Sequence, residues 1–209
     1  MGKQPVALQG AELKTENHGR VGPNAIIRVA EALEARQGSD AVSELFQRAG
    51  LERYLDAMPT AMVEEGEVTR LQSALRDYLG IPVARAIARD AGMRTGDYLL
   101  AVRIPRPAQA ILSVLPPRLA TRTLLKAIGG NAWTFVGTGV FSADPAYPPR
   151  LTVSDSLLCR GATASEPLCD FYAGTFERLF TRLVHKDAKV TEIACRANGA
   201  ADCVFEIRW

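Results

Sequence analysis

Near the end of the chain, the stretch EIACRANGAADCVFEIRW sets two cysteines, Cys195 and Cys203, on either side of an Asn198-Gly199 step. Asn-Gly between alternating apolar residues is a strong local hairpin signal, because a tight primed turn needs positive φ at its central positions. The pattern predicts strands over AKVTEIAC and DCVFEIRW joined by RANGAA, with both thiols at the neck of the hairpin. Glu192 lies three residues before the first thiol.

The preceding stretch, SEPLCDFYAGTFERLFTRLV, carries Leu168, Tyr172, Phe176, Leu179 and Leu183 at helical spacing, and Glu166 and Pro167 open it. Cys169 falls in its first turn. A helix start packed beside the hairpin neck gathers three soft thiolates and one carboxylate, Cys169, Cys195, Cys203 and Glu192. Tetrahedral zinc accepts that set. Such a centre carries about two negative charges, costly to bury without compensation. The N–H groups of the helix start and Arg196 are available to supply it. The plainer reading is buried free cysteine in a small core. C-x7-C is not the usual C-x2–4-C zinc spacing. Cys159 falls in the strand before the helix and reads as a core or surface thiol outside the ligand set.

The first 130 residues or so read as mostly helical. Residues 1–20 are a polar lead-in. Ile26, Ile27, Ala30 and Leu33 share a face, and Gly38 ends that helix. SDAVSELFQRAG, LERYLDAM, a long stretch from Glu65 to Ala91 kinked at Pro82, RPAQAILSVLP and PRLATRTLLKAIGG continue the helical pattern. The character changes at NAWTFVGTGVFSA, aromatic and β-branched, which reads as a strand paired with RLTVSDSLL. The expected fold class is α+β: a helical region over 1–130, then an antiparallel sheet packed on a helix over 131–209.

Composition narrows the function classes. The 209 residues are 47% hydrophobic with a net charge of +2 and no Lys/Arg block, so no nucleic-acid footprint is indicated. No apolar run approaches the roughly 18 residues of a membrane span. MGKQPVALQG has no apolar signal core, so the expected compartment is the cytoplasm. There, four cysteines are reduced thiols or metal ligands rather than disulfides.

The segments LCDFYAGTFERLFTRLV and VTEIACRANGAADCVFEIRW resemble the 4-vinyl reductase domain: a Cys-bearing helix with Tyr-x-Gly, a Glu-x-x-Cys, a Gly turn and a final Cys-x-Phe strand. The whole chain resembles the bacteriochlorophyll-biosynthesis proteins named 4-vinyl reductases. The domain is similar to the sensor modules of aromatic-responsive activators and, in fold, to a vesicle-tethering subunit family. The resemblance implies a structural zinc on Cys169, Glu192, Cys195 and Cys203, which leaves no coordination position for water. It also implies a divinyl tetrapyrrole ligand, a homodimer through the helical half and contact with other pigment-biosynthesis enzymes. The chain has no ATPase or DNA-binding segment, so an activator role does not follow.

Vinyl reduction needs an electron source. VGTGVFS lacks the third glycine and the following helix of a nicotinamide site, and no flavin fingerprint or iron–sulfur cysteine run is present. His18 lies in the lead-in, and His185 reads as a solvated residue at a helix end; the sharper reading of His185 is an axial ligand to a tetrapyrrole magnesium. Trp133, Phe135, Tyr172 and Phe176 are candidate ligand-lining residues; hydrophobic core is the ordinary reading of such stripes. Arg103, Arg106, Arg118 and Arg122 read as a solvated face or as partners for a propionate. The sequence therefore predicts a carrier or accessory that presents a divinyl pigment intermediate for reduction. The alternatives are an autonomous reductase with an unseen donor, and a small-molecule sensor or scaffold.

Overall fold

The computed structural model describes residues 19–209, so His18 and nearly all of the polar lead-in lie outside the described residues. β1 (Arg20–Val21) pairs antiparallel with β2 (Val63–Glu64). Between them run α1 (Asn24–Gln37), α2 (Ser39–Ala49) and the single-turn α3 (Arg53–Asp56). Next come α4 (Glu65–Leu79) and α5 (Ile81–Tyr98). The single kinked helix expected from Glu65 to Ala91 is two helices, divided at Gly80 rather than Pro82. Gly80 takes φ 75°, which side-chain-bearing residues rarely adopt, and Pro82 sits in the first turn of α5, where its missing N–H costs nothing.

A π-helical turn over Leu99–Arg103 leads into α6 (Arg106–Val114), α7 (Pro117–Gly130) and the short α8 (Trp133–Val136). The strand expected across NAWTFVGTGVFSA occupies only its end, as β3 (Val140–Asp144). Trp133 and Phe135 are helical because tertiary contacts override their strand propensity. Tyr172 donates its hydroxyl hydrogen to the Phe135 carbonyl at 2.8 Å, and Gly22 donates its N–H to the Thr134 carbonyl at 2.7 Å. β4 (Arg150–Ser154), α9 (Asp170–Leu183), β5 (Lys189–Ala194) and β6 (Cys203–Arg208) complete the fold. The four strands form one antiparallel sheet in the order β3-β4-β6-β5.

α9 packs on the sheet with the stripe expected of it: Leu168, Tyr172, Phe176, Leu179 and Leu183 are all buried. Burying each large apolar side chain stabilises the fold by about 1.5–3 kcal/mol. The other side of α9 meets α5 almost backbone to backbone. A Cβ on Gly92 would stand 2.1 Å from the Phe171 carbonyl oxygen, and one on Gly174 would stand 2.3 Å from that of Arg89. Around this crossing, Arg85 pairs with Asp170 and Glu166, Arg89 with Glu177, and Arg178 with Asp97. The helical half thereby positions the helix that carries both candidate sites.

Candidate metal centre and aromatic groove

Four chain segments bring four sulfurs together. Cys169 is the N-cap of α9, which begins at Asp170 rather than at Glu166 and Pro167. Cys195 ends the β5 side of the hairpin, before a short 3₁₀ turn over Arg196–Asn198. Cys203 opens β6, in register with Val153 of β4. Cys159 lies in the turn after β4 rather than in a strand, since the chain leaves the sheet at Asp155 with φ 52°. The sulfur of Cys203 is 3.6 Å from that of Cys159, 3.6 Å from that of Cys169 and 3.8 Å from that of Cys195. All four thiols are buried and lie within 4.8 Å of one another.

Those separations suit a metal. A tetrahedral centre with metal–sulfur bonds of about 2.3 Å has sulfur–sulfur edges of about 3.8 Å. Without a cation, four clustered thiols cannot all ionise. Cys195 and Cys159 are held below the ordinary thiol range, mainly by hydrogen bonds from neighbouring thiols. Those same bonds push Cys169 and Cys203 above it. The backbone N–H groups of Leu168 and Arg196 point at the Cys195 and Cys203 sulfurs. Burial pushes the Arg76 guanidinium down, and the attraction of Cys159, Cys169 and Cys195 opposes this, which places a cation within electrostatic reach of the cluster. The donor set and its surroundings therefore fit a soft divalent ion.

Glu192 borders the cluster rather than joining the four-sulfur group. Its Oε2 accepts the Cys169 N–H at 2.8 Å, and its buried Oε1 has no hydrogen-bond partner. Burial and then the Cys195 charge push its carboxyl up to about 9. The fourth sulfur comes from Cys159, whose turn is held by α4 and by the hairpin. Thr69 and Arg76 donate to the Leu157 and Leu158 carbonyls, both at 2.9 Å. Arg160 bonds Glu65 and Asp155, and Arg196 bonds the same Asp155 at 2.6 Å. No sequence spacing announces this thiol, but the Arg-flanked turn around it was a usable signal.

The aromatic candidates separate. Phe135, Tyr172 and Phe176 converge, with ring centroids 5.8–6.2 Å apart, and Phe141 and Phe205 join them. Trp133 stands outside this cluster, half-exposed on α8. It lines an open groove of about 420 Å³ with Ala132, Val136 and the residues from Gly137 to Phe141. That volume is within the range of small-molecule sites. Phe141, which the sequence reading missed, joins the two regions: it faces the groove and packs on Phe135 and Phe176. His185 stacks on Trp209 with centroids 6.0 Å apart.

Glu65 ties groove to cluster. It accepts hydrogen bonds from the Thr138 N–H at 2.7 Å, the Thr138 hydroxyl at 2.8 Å and Arg160 at 2.8 Å. Burial alone would raise its carboxyl, but Thr138 and Arg160 outweigh burial and hold it below the usual range. Gly137 takes φ 61°, and a Cβ there would lie 1.9 Å from Glu65 Oε2.

Comparison with known proteins follows the same geometry. Residues 149–209, from the start of β4 to the end of β6, match the vinyl-4-reductase domain, the one to which the Cys-bearing helix and hairpin motifs point. The bacteriochlorophyll synthase 23 kDa chain of Cereibacter sphaeroides is 39% identical over 188 residues, covering 90% of each chain. An unliganded Fe(II) H-NOX protein from K. algicida superposes with a TM-score of 0.61 at 11% identity, covering 89% of this chain and 95% of its own. The phenol-responsive sensory domain of the transcription activator PoxR, with phenol, superposes with a TM-score of 0.51 at 19% identity, covering 69% and 74%. Those two likenesses are of fold. At the level of the whole chain, the protein belongs to the family of the bacteriochlorophyll synthase 23 kDa chain.

Proposed function

We propose that the protein binds a divinyl tetrapyrrole of the protochlorophyllide type and carries or presents it for vinyl reduction. Family membership supports the broader role in bacteriochlorophyll biosynthesis. The observation that carries the finer reading is the apolar groove of Trp133 to Phe141, floored by a ring that belongs to the buried aromatic cluster. A flat conjugated macrocycle can lie along such a wall by offset or edge-to-face contact with Phe141 and Trp133. The fold is also shared with a sensory domain described with phenol and with the H-NOX family, described in terms of haem.

Zinc is the ion we assign to Cys159, Cys169, Cys195 and Cys203. When bound, it supplies a structural cross-link, since four protein thiolates fill a tetrahedral ion. The residues do the rest. The Cys169 cap orients α9, α9 presents Tyr172 and Phe176, and Tyr172 holds α8 through the Phe135 carbonyl. Glu192 keeps the Cys169 N–H satisfied at the helix start.

Purified protein mixed with divinyl protochlorophyllide, with and without NADPH, tests the reading. A shifted pigment spectrum without turnover supports a carrier. Reduced product from the protein alone replaces it with an autonomous reductase. An unchanged spectrum at pigment excess leaves a sensor or scaffold.

A further inference from the structure

A second surface lies outside both sites. Between Asp97 and Asp144 the sequence contains no Asp or Glu, although the chain carries 23 of them. The same interval contains Arg103, Arg106, Arg118, Arg122 and Lys126. Elsewhere the arginines are mostly paired, as Arg28, Arg48, Arg85, Arg89, Arg178 and Arg196 are. Among the described residues, none of these five basic side chains has a carboxylate partner, and all five are exposed.

Aliphatic side chains stand among those charges. Val102 in the π-helical turn is 63% exposed, Ile111 and Val114 on α6 are 59% and 81% exposed, and Leu119 on α7 is 49% exposed. Ile111 and Val114, three apart, share one face of α6, while Leu112 is buried on the other. On α7, Arg118, Arg122 and Lys126 recur every four residues as one outward stripe, with Leu124, Leu125 and Ile128 buried beneath. Gln109 donates to the Leu100 and Ile104 carbonyls and fixes α6 to the π-helical turn. The result is a preformed helical pair with apolar tips in an unbroken positive field.

We propose that this surface, from Val102 to Lys126, docks the protein on an anionic lipid bilayer, with Val102, Ile111, Val114 and Leu119 in the headgroup boundary. Basic residues interleaved with outward aliphatic ones are the pattern of interfacial helices. No helix of the described residues is long and apolar enough to cross a membrane, so the contact is peripheral. A second copy of the chain is a poor occupant, because a two-fold contact would set positive against positive. A bilayer of negative headgroups offers neutralising charge across the whole width of the surface. The proposal stands apart from what the groove binds.

Flotation of the full chain with vesicles of equal parts phosphatidylglycerol and phosphatidylcholine, against phosphatidylcholine alone, tests it. Binding is expected only with the anionic vesicles and is expected to weaken with salt. Each basic residue contributes about fivefold to partition, so Arg118→Glu with Arg122→Glu lowers it by at least about tenfold. Val114→Asp lowers it with a smaller change in charge. Arg36→Glu with Arg48→Glu, on α1 and α2, is the charge-matched control and retains binding. Circular dichroism confirms that each variant is folded. Absence of vesicle binding by the full chain overturns the proposal, as does equal loss in the control pair. Val114→Asp that instead breaks a dimer, or capture of a purified pigment enzyme, in a chain without vesicle affinity, overturns it in favour of a protein interface.

Discussion

α9 serves two neighbourhoods within its first two turns. Its cap, Cys169, lies among sulfurs whose surroundings are fixed by charge and hydrogen bonds. Arg160 and Arg196 share Asp155, Arg76 holds the Leu158 carbonyl, and Glu192 takes the Cys169 N–H. One turn on, Tyr172 and Phe176 lie among rings packed without ion pairs, beside a groove open to solvent. The first neighbourhood is directional and closed, and the second is shape-dependent and accessible. A protein that must release its ligand can place rigidity in the one and adaptability in the other, because apolar packing tolerates exchange of partners better than a coordination sphere does.

The largest test of that division removes a sulfur. Cys203→Ser and Cys159→Ser should each cost several kcal/mol, lower Tm by about 10 °C or more and abolish bound zinc in elemental analysis. Glu192→Gln should keep the metal and lose far less. Equal loss of zinc in Glu192→Gln, with retention in Cys159→Ser, would restore the carboxylate as fourth ligand and weaken the picture of a purely sulfur-closed centre.

The α5–α9 crossing comes next. Gly92→Ala and Gly174→Ala each drive a methyl into a carbonyl, and each should destabilise by about 3 kcal/mol. Gly130→Ala, with nothing within 4 Å of the added carbon, should change stability by less than about 1 kcal/mol. Chemical denaturation of the three variants measures the contrast. If the crossing variants match Gly130→Ala, the helical half does not fix α9 in the way its backbone contacts indicate.

Tyr172→Phe is milder. It removes the bond to the Phe135 carbonyl and should cost about 1–2 kcal/mol while leaving zinc content unchanged. Loss of metal in this variant would show that the ring cluster and the sulfur cluster are not separable.

The smallest effect concerns pH. Glu65 is held below its unfolded pKa, so it contributes stability above that value and loses it as pH falls through the folded one. Glu65→Gln should flatten the acid limb of the Tm-against-pH curve and leave Cys-dependent zinc content intact. An acid limb identical to that of the parent chain would show that Glu65 does not link the two neighbourhoods.

What the sequence could reveal follows from what is local. The Asn198-Gly199 hairpin and the α9 stripe are written in periods of two and 3.6 residues, and both are present in the structure. Cys159 was unreadable as part of a cluster because its place depends on a turn held by Thr69 and Arg76, more than eighty residues away. Trp133 and Phe135 misled for the opposite reason. Their strand propensity is real, but a bond from Tyr172 and packing on Phe141 decide the backbone. The glycines at 92 and 174 looked like ordinary helix residues, since one sequence does not show which helix comes close to which.

The strand order β3-β4-β6-β5 sets the sequence of assembly. β3 and β4 can meet early, since only a short loop separates them, while the strand that fits between β4 and β5 is made some fifty residues after β4. Until β6 arrives, β4 offers a bare edge of backbone donors and acceptors, the kind of edge that recruits another chain. Whatever slows the arrival of β6, a missing ion included, leaves the molecule sticky before it leaves it unfolded, so loss of the thiol centre should register first as insoluble protein.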